Sequence, residues 1–255
     1  MNPNRASIEK YFMSKFPKWA IFLIVIGVAM LLSGLGGNSI SAIFIGLVLV
    51  GMGGFVIYKS LQIASDADID QWTQEDLTKL SRRSLEKMGM DASELVGEAV
   101  TITGPRLDKL GPAKFGFRKG KDNVLRFTPI DSTIINFTAN QLLVYSCALD
   151  LITGNPVNET TDEYFYSDVV SVQTASDTVI ASLPGMGKEF QNMQLNGAEI
   201  FKLTTSGGTG ARVVLRETSL IHKLGGGEIP TTTAERAIQT IRKMLREKKG
   251  AVVGT

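Results

Sequence analysis

Two apolar runs without an ionisable side chain, Trp19 to Leu35 and Ile40 to Tyr58, are separated only by Gly36, Gly37, Asn38 and Ser39. At about 1.5 Å of rise per residue, each run is roughly 25 to 29 Å long as a helix, close to the thickness of a bilayer's hydrocarbon core. A helix satisfies its own backbone in lipid, and four small or polar residues can turn at the interface. The chain is therefore expected to begin with a transmembrane α-hairpin rather than a buried hairpin of a soluble core. A cleaved signal peptide fits less well, because the polar lead from Met1 to Lys18 is long and no clean small-x-small site follows the first run.

The flanks set the expected orientation. Arg5, Lys10, Lys15 and Lys18 stand against Glu9 before the first run, Lys59 follows the second, and the turn carries no charge. Basic flanks stay cytoplasmic, so both termini are expected there, with Tyr11, Trp19 and Tyr58 as interfacial anchors. Gly27, Ala29 and Gly34 in one run and Ala42, Gly46, Gly51, Gly53 and Gly54 in the other suit close packing of the two spans, or a homo-oligomer through the same surface.

Residues after Tyr58 suffice for one further domain. Their charge is segregated: seven Lys and Arg stand against two Asp between Pro105 and Arg126, residues 127–170 carry six carboxylates and no base, and residues 211–255 are basic again. Such blocks mark distinct surfaces. The whole chain sums only to +2, which gives no argument for nucleic acid. The single cysteine, Cys147, lies in an alternating apolar segment and reads as a core residue.

Asp66, Asp68 and Asp70 lead into a helical pattern over Gln71 to Met88, with Thr73 and Asp76 at capping-box spacing and Leu77, Leu80, Leu85 and Met88 at helical intervals. Gly89 ends it, and Asp91 to Leu95 suits a short further turn. The apolar side is expected to dock on the domain, while the aspartates read as a solvated linker that an anionic leaflet would repel.

From Glu98 the pattern turns to β. Expected strands are Glu98 to Thr103, Val124 to Phe127, Ser132 to Thr138, Gln141 to Ile152, Glu163 to Ser167, Val169 to Thr174, Thr178 to Ser182, Glu199 to Thr205 and Ala211 to Arg216. Ala139-Asn140 makes one tight hairpin turn and Ser206 to Gly210 a second. A last helix follows Pro230, opened by a capping box of Thr232 and Glu235. Ala234, Ala237, Ile238, Ile241, Met244 and Leu245 form its apolar stripe; Arg236, Arg242, Lys243, Arg246, Lys248 and Lys249 occupy its other side.

Catalytic signals are lacking. One histidine, His222, and one cysteine give no zinc-ligand spacing. No G-x-S-x-G elbow is present. Gly116 to Lys121 lacks the spacing of a phosphate loop, and Gly207-Gly-Thr-Gly210 precedes a strand, so it is a hairpin turn. No catalytic, cofactor or metal residue is assigned. The one constellation above background is the basic segment, where Lys114, Arg118, Lys119 and Lys121 interleave with Phe115 and Phe117 among glycines. It suits a loop whose bases meet anionic lipid headgroups and whose phenylalanines enter the interface, or one that meets a protein or nucleic-acid partner. The plainer reading is a solvated loop or strand with both phenylalanines in the core.

The stretch from Ile134 to Tyr145, followed by Tyr164 to Val172 with its Tyr166-x-Asp168-Val169-x-Ser171-Val172 pattern, resembles bacterial pleckstrin-homology-like domains. The resemblance implies a mainly-β barrel or bent sandwich, plugged at an open end by the C-terminal amphipathic helix. It also implies a basic loop between the first strands, where Lys114, Arg118 and Lys121 would sit. The expected organisation is a basic leader 1–18, a transmembrane hairpin 19–58, a helical connector 59–96, a pleckstrin-homology-like domain 97–250 and a tail 251–255. Such a chain would be a non-catalytic interaction or regulatory module on the cytoplasmic face of a bacterial inner membrane. The alternatives are a membrane-bound enzyme with a pocket in the β domain and an accessory subunit of a larger membrane complex.

Overall fold

The computed structural model describes residues 3–14, 16–228 and 234–253. Contacts divide the chain into two compact units, Glu9–Ser65 and Met1–Ile8 together with Asp66–Thr255. Helix α1 (Pro3–Met13) forms where the sequence suggested only a basic leader. Helices α2 (Lys18–Gly36) and α3 (Ile40–Leu61) are each long and apolar enough to cross a membrane.

They form the expected hairpin. In its turn Asn38 has a φ of 51°, and the amides of Gly37 and Ser39 donate to the carbonyls of Ser33 and Gly34, closing the end of α2. The seam between the helices is built from glycine: a Cβ on Gly27 would stand 2.8 Å from the Gly46 carbonyl oxygen, and one on Gly46 2.7 Å from that of Gly27. Only small residues let the backbones meet so closely. Gly51 and Gly54 face open space instead. The Lys10 ammonium donates to the carbonyls of Lys59 and Gln62, satisfying the end of α3. Tyr11 is buried beside Phe12 and is not an exposed anchor, whereas Trp19 and Tyr58 are exposed.

The second unit opens with α4 (Asp66–Met88), which takes the three aspartates into its first turns. Thr73 is no cap: it lies inside the helix and donates its hydroxyl to the Ile69 carbonyl. Gly89, at a φ of 63°, ends the helix as expected, and a 3-10 turn over Ala92–Glu94 follows with Asp91 as its capping residue. The strands are β1 (Val100–Pro105), β2 (Gly116–Lys119), β3 (Leu125–Thr128), β4 (Ile130–Phe137), β5 (Gln141–Asp150), β6 (Asn155–Phe165), β7 (Val169–Ala181), β8 (Met193–Thr205) and β9 (Arg212–Arg216). Two helices complete the unit, α5 (Thr218–Lys223) and α6 (Ala234–Val253).

All strand pairs are antiparallel and fall into a four-stranded sheet in the order β1-β4-β5-β6, a three-stranded sheet β7-β8-β9 and the separate β2-β3 hairpin. Among the described residues they form no closed barrel. The two segments expected at Val169 to Thr174 and Thr178 to Ser182 are one strand, β7, whose register against β8 slips between Asp177 and Val179. β6 begins eight residues before the expected Glu163, because its outward polar positions show no alternation to read.

One apolar core joins both main sheets and α6, through Ile102 of β1, Phe137 of β4, Leu142 of β5, Phe201 of β8, Val213 of β9, and Ile238 and Ile241 of α6. β1 and β9 approach so closely at Gly104 that a Cβ there would run into the Val214 carbonyl. A second core, at the far halves of β7 and β8, packs Phe115, Leu125 and Phe127 against Leu220 and Ile221 of α5. Of the expected stripe of α6, Ala237, Ile238 and Ile241 are buried and Met244 and Leu245 half-buried, with Arg242 and Arg246 outside, and Arg242 donates from Nε and Nη2 to the Val172 carbonyl of β7. The expected cap, Pro230 and Thr232, lies outside the described residues, as do Lys15 and Thr233.

Ile241→Ala should therefore cost about 2 to 5 kcal/mol of stability, whereas Gln239→Ala, on the exposed side of the same helix, should stay within about 0.5 kcal/mol. Denaturant unfolding of the detergent-solubilised chain measures both, and similar values would mean that α6 does not share the core.

Candidate functional site

The basic segment is a hairpin with one wet and one dry side. Gly120 donates its amide to the Val124 carbonyl, Asn123 takes a φ of 66°, and the Asp122 carboxylate accepts from the Val124 amide, so residues 120–123 turn the chain tightly. The register sets Phe117 opposite Phe127 and Arg118 opposite Arg126. Phe115 is only 8% exposed, and its ring lies 6.4 Å from those of both Phe117 and Phe127. Phe117 is half-buried against the same core. Phe115 is thus a core residue and Phe117 packs on the core's margin, which is the plainer reading of the segment. Burying the ring side is what holds this short hairpin in place.

Lys114, Lys119 and Lys121 are exposed on the hairpin, and Arg118 is half-buried. Arg126 is engaged internally. It is 7% exposed and donates from Nε and Nη2 to Asp70 of α4, both at 2.7 Å, and from Nη1 and Nη2 to Asp122. The Arg126 guanidinium, helped by the Val124 amide, holds the Asp122 carboxyl down at about 2. Asp66 accepts from the Lys121 amide at 2.8 Å. Two of the three aspartates expected in a solvated linker therefore dock α4 on the hairpin.

Behind them lies a cleft of about 120 Å³ lined mainly by apolar groups, among them Ile69, Gly104, Pro105, Phe127 and Leu151, with Thr73, Asp70 and Arg126 at its polar margin. It can accept a small apolar group. Its polar groups are the paired Asp70 and Arg126 and the hydroxyls of Thr73 and Thr103. Elsewhere under α4, Arg83 grips Glu159 through two bonds of 2.8 Å, and the Tyr145 hydroxyl donates to Glu159 at 2.6 Å. Arg83 above all, with Tyr145, holds the Glu159 carboxyl at about 2. Burial pushes the Cys147 thiol up to about 12, which leaves it protonated and inert near neutrality. His222 is exposed on α5. Among the described residues no group of three or more His, Cys, Asp or Glu could hold a metal ion.

Asp131 of β4 pairs with Arg106 at 2.8 Å, and Arg106 also donates to the Asp108 and Lys109 carbonyls, shaping the loop that leads to the hairpin. These long-range pairs, together with Asp76 and Arg5, were missed from sequence. The one available signal was Asp76 itself, a carboxylate on the same helical stripe as Ile69 and Leu80 that must find a cation when buried. Comparison with protein-family models, curated proteins and solved structures returns no match.

Burial raises the Asp131 carboxyl from 3.8 to about 6, against the pull of Arg106. The folded chain thus binds a proton between these values that the unfolded chain releases, so this stabilisation is complete below the unfolded value and is lost as pH rises through the folded one. Asp131→Asn should remove that slope, worth on the order of 2 kcal/mol between about pH 4 and 6. Unfolding free energies measured across this range for both proteins check it, and parallel curves would rule it out.

Proposed function

We propose that the chain is a membrane-tethered, non-catalytic interaction module whose β domain works at the cytoplasmic surface and meets anionic headgroups through Lys114, Arg118, Lys119 and Lys121. The observation that carries the membrane part is the inverted packing of α2 and α3. Glycines fill their seam, while Phe22, Leu32, Phe44 and Phe55 point outward and are more than half exposed. In water this would be an apolar surface without a counterpart; in hydrocarbon it is the expected arrangement.

Residues 3–8, before the first span, share a compact unit with everything after Ser65. A two-span hairpin returns the chain to the side it left, which agrees with both ends lying in one compartment. The basic flanks favour the cytoplasm. The pleckstrin-homology-like reading rests on the sequence resemblance; beside it stand a four-stranded and a three-stranded antiparallel sheet that share one core with a C-terminal helix. The lipid reading is supported by the exposed lysines of the hairpin, each worth about 1 kcal/mol near an anionic leaflet. Tethering raises the effective concentration of such a weak surface toward other membrane components.

Two measurements test this. A reporter fused after Thr255 should read out as cytoplasmic, and protease added outside intact cells should spare residues 66–255; cleavage there would reverse the orientation. In nanodiscs, amides of residues 116–121 should exchange more slowly with anionic than with zwitterionic lipid. Salt, or replacement of Lys114, Arg118, Lys119 and Lys121 by Ser, should abolish the difference. Equal exchange in both lipids at low salt would exclude headgroup contact.

A further inference from the structure

Arg5 occupies a socket built for a guanidinium. Its Nη1 and Nη2 each donate at 2.6 Å to one oxygen of Asp76, and Nη1 also donates to the Leu151 carbonyl at 2.9 Å. Asp76 is 4% exposed, so its carboxylate has surrendered water for this partner. The third wall is Gly154, in the turn between β5 and β6. Its φ is 75°, and a Cβ there would overlap the Arg5 guanidinium.

The turn is fixed independently of Arg5. Asp150 accepts from the Ile152 amide and the Thr153 hydroxyl, the Gly154 amide donates to the Asp150 carbonyl, and the Leu151 amide donates to the Thr128 hydroxyl. Carboxylate fork, carbonyl and flat glycine surface match the planar donor fork of arginine and not the single ammonium of lysine. The nearest lysine, Lys79, is exposed and stands 3.4 Å from Asp76.

The ligand and the receptor come from opposite ends of the apolar hairpin: Arg5 precedes α2, and Asp76 follows α3. We propose that this socket is a guanidinium-binding site whose ligand is the chain's own N-terminal segment, so that Arg5 acts as a releasable latch holding α4 on the β5-β6 turn. With Arg5 withdrawn, the middle of α4 carries a buried carboxylate without its fork partner, and the helix loosens there. The N-terminal segment thereby controls the docking of the cover helix without touching the basic hairpin, and the inference stands whether or not that hairpin meets lipid.

The test uses the full chain in mild detergent with amide exchange as readout. Arg5→Ala should speed exchange over residues 72–84 about ten-fold or more, while β5 remains protected. Methylguanidinium at millimolar concentration should reverse the effect, methylammonium should not, and adding Gly154→Ala or Asp76→Asn should abolish the rescue. Arg5→Lys, which keeps the charge and lacks the fork, should fall between wild type and Arg5→Ala and supplies the comparison if the alanine variant does not fold. Wild-type exchange in Arg5→Lys and Arg5→Ala would overturn the proposal, as would acceleration that methylguanidinium fails to reverse.

Discussion

The β4 and β5 strands are buried on both faces, and the rest of the unit follows from that burden. A sheet with apolar side chains on each side needs two covers. On one face Ile135, Phe137, Leu142 and Val144 meet the three-stranded sheet and α6. The other face mixes polar with apolar groups, with Ser132, Asn136 and Tyr145 buried beside Ile134, Leu143 and Cys147. Its cover, α4, buries Ile69 and Leu80 and adds a set of bonds: Asp70 to Arg126, Asp76 to Arg5, Ser84 to Asn136 and Arg83 to Glu159. Ionic and polar fastening of this sort is specific in register, and it is easier to undo than a hydrophobic interface of the same length.

Local periodicity was legible wherever one face was dry and the other wet. The stripe of α6 and the Ala139-Asn140 turn carry that contrast in neighbouring residues, while the α2-α3 hairpin shows as unbroken apolar length and the end of α4 as the single glycine at 89. It fails where burial is decided by distant partners. β5 is buried on both sides, so its alternation of Leu143, Tyr145, Cys147, Leu149 and Leu151 described only half of its environment. β6 is an edge strand whose exposed Thr160 to Glu163 look like loop. α5 is too short for a helical period to emerge.

The basic segment shows the same division. Its charge was plain in the sequence, whereas the fate of each charge was not. Arg126 differs from Lys121 because Asp70 and Asp122 reach it, and Phe115 differs from an interfacial anchor because Phe127 lies across the hairpin from its neighbour. Net charge is a property of a stretch of chain, but availability is a property of packing. The hairpin is thus a smaller cationic surface than its composition suggests, supported from below by rings.

Arg242 of α6 bears on a different problem. β7 is the outer strand of its sheet, thirteen residues long, with Val170 and Ile180 on its exposed surface. A bare edge of that length is a template on which another chain can extend the sheet. By lending two donors to the Val172 carbonyl, the guanidinium occupies one of the acceptors such an intruder would need. The last helix thereby covers part of the β7 border as well as filling the core, so that one element closes the sheet's face and occupies its edge.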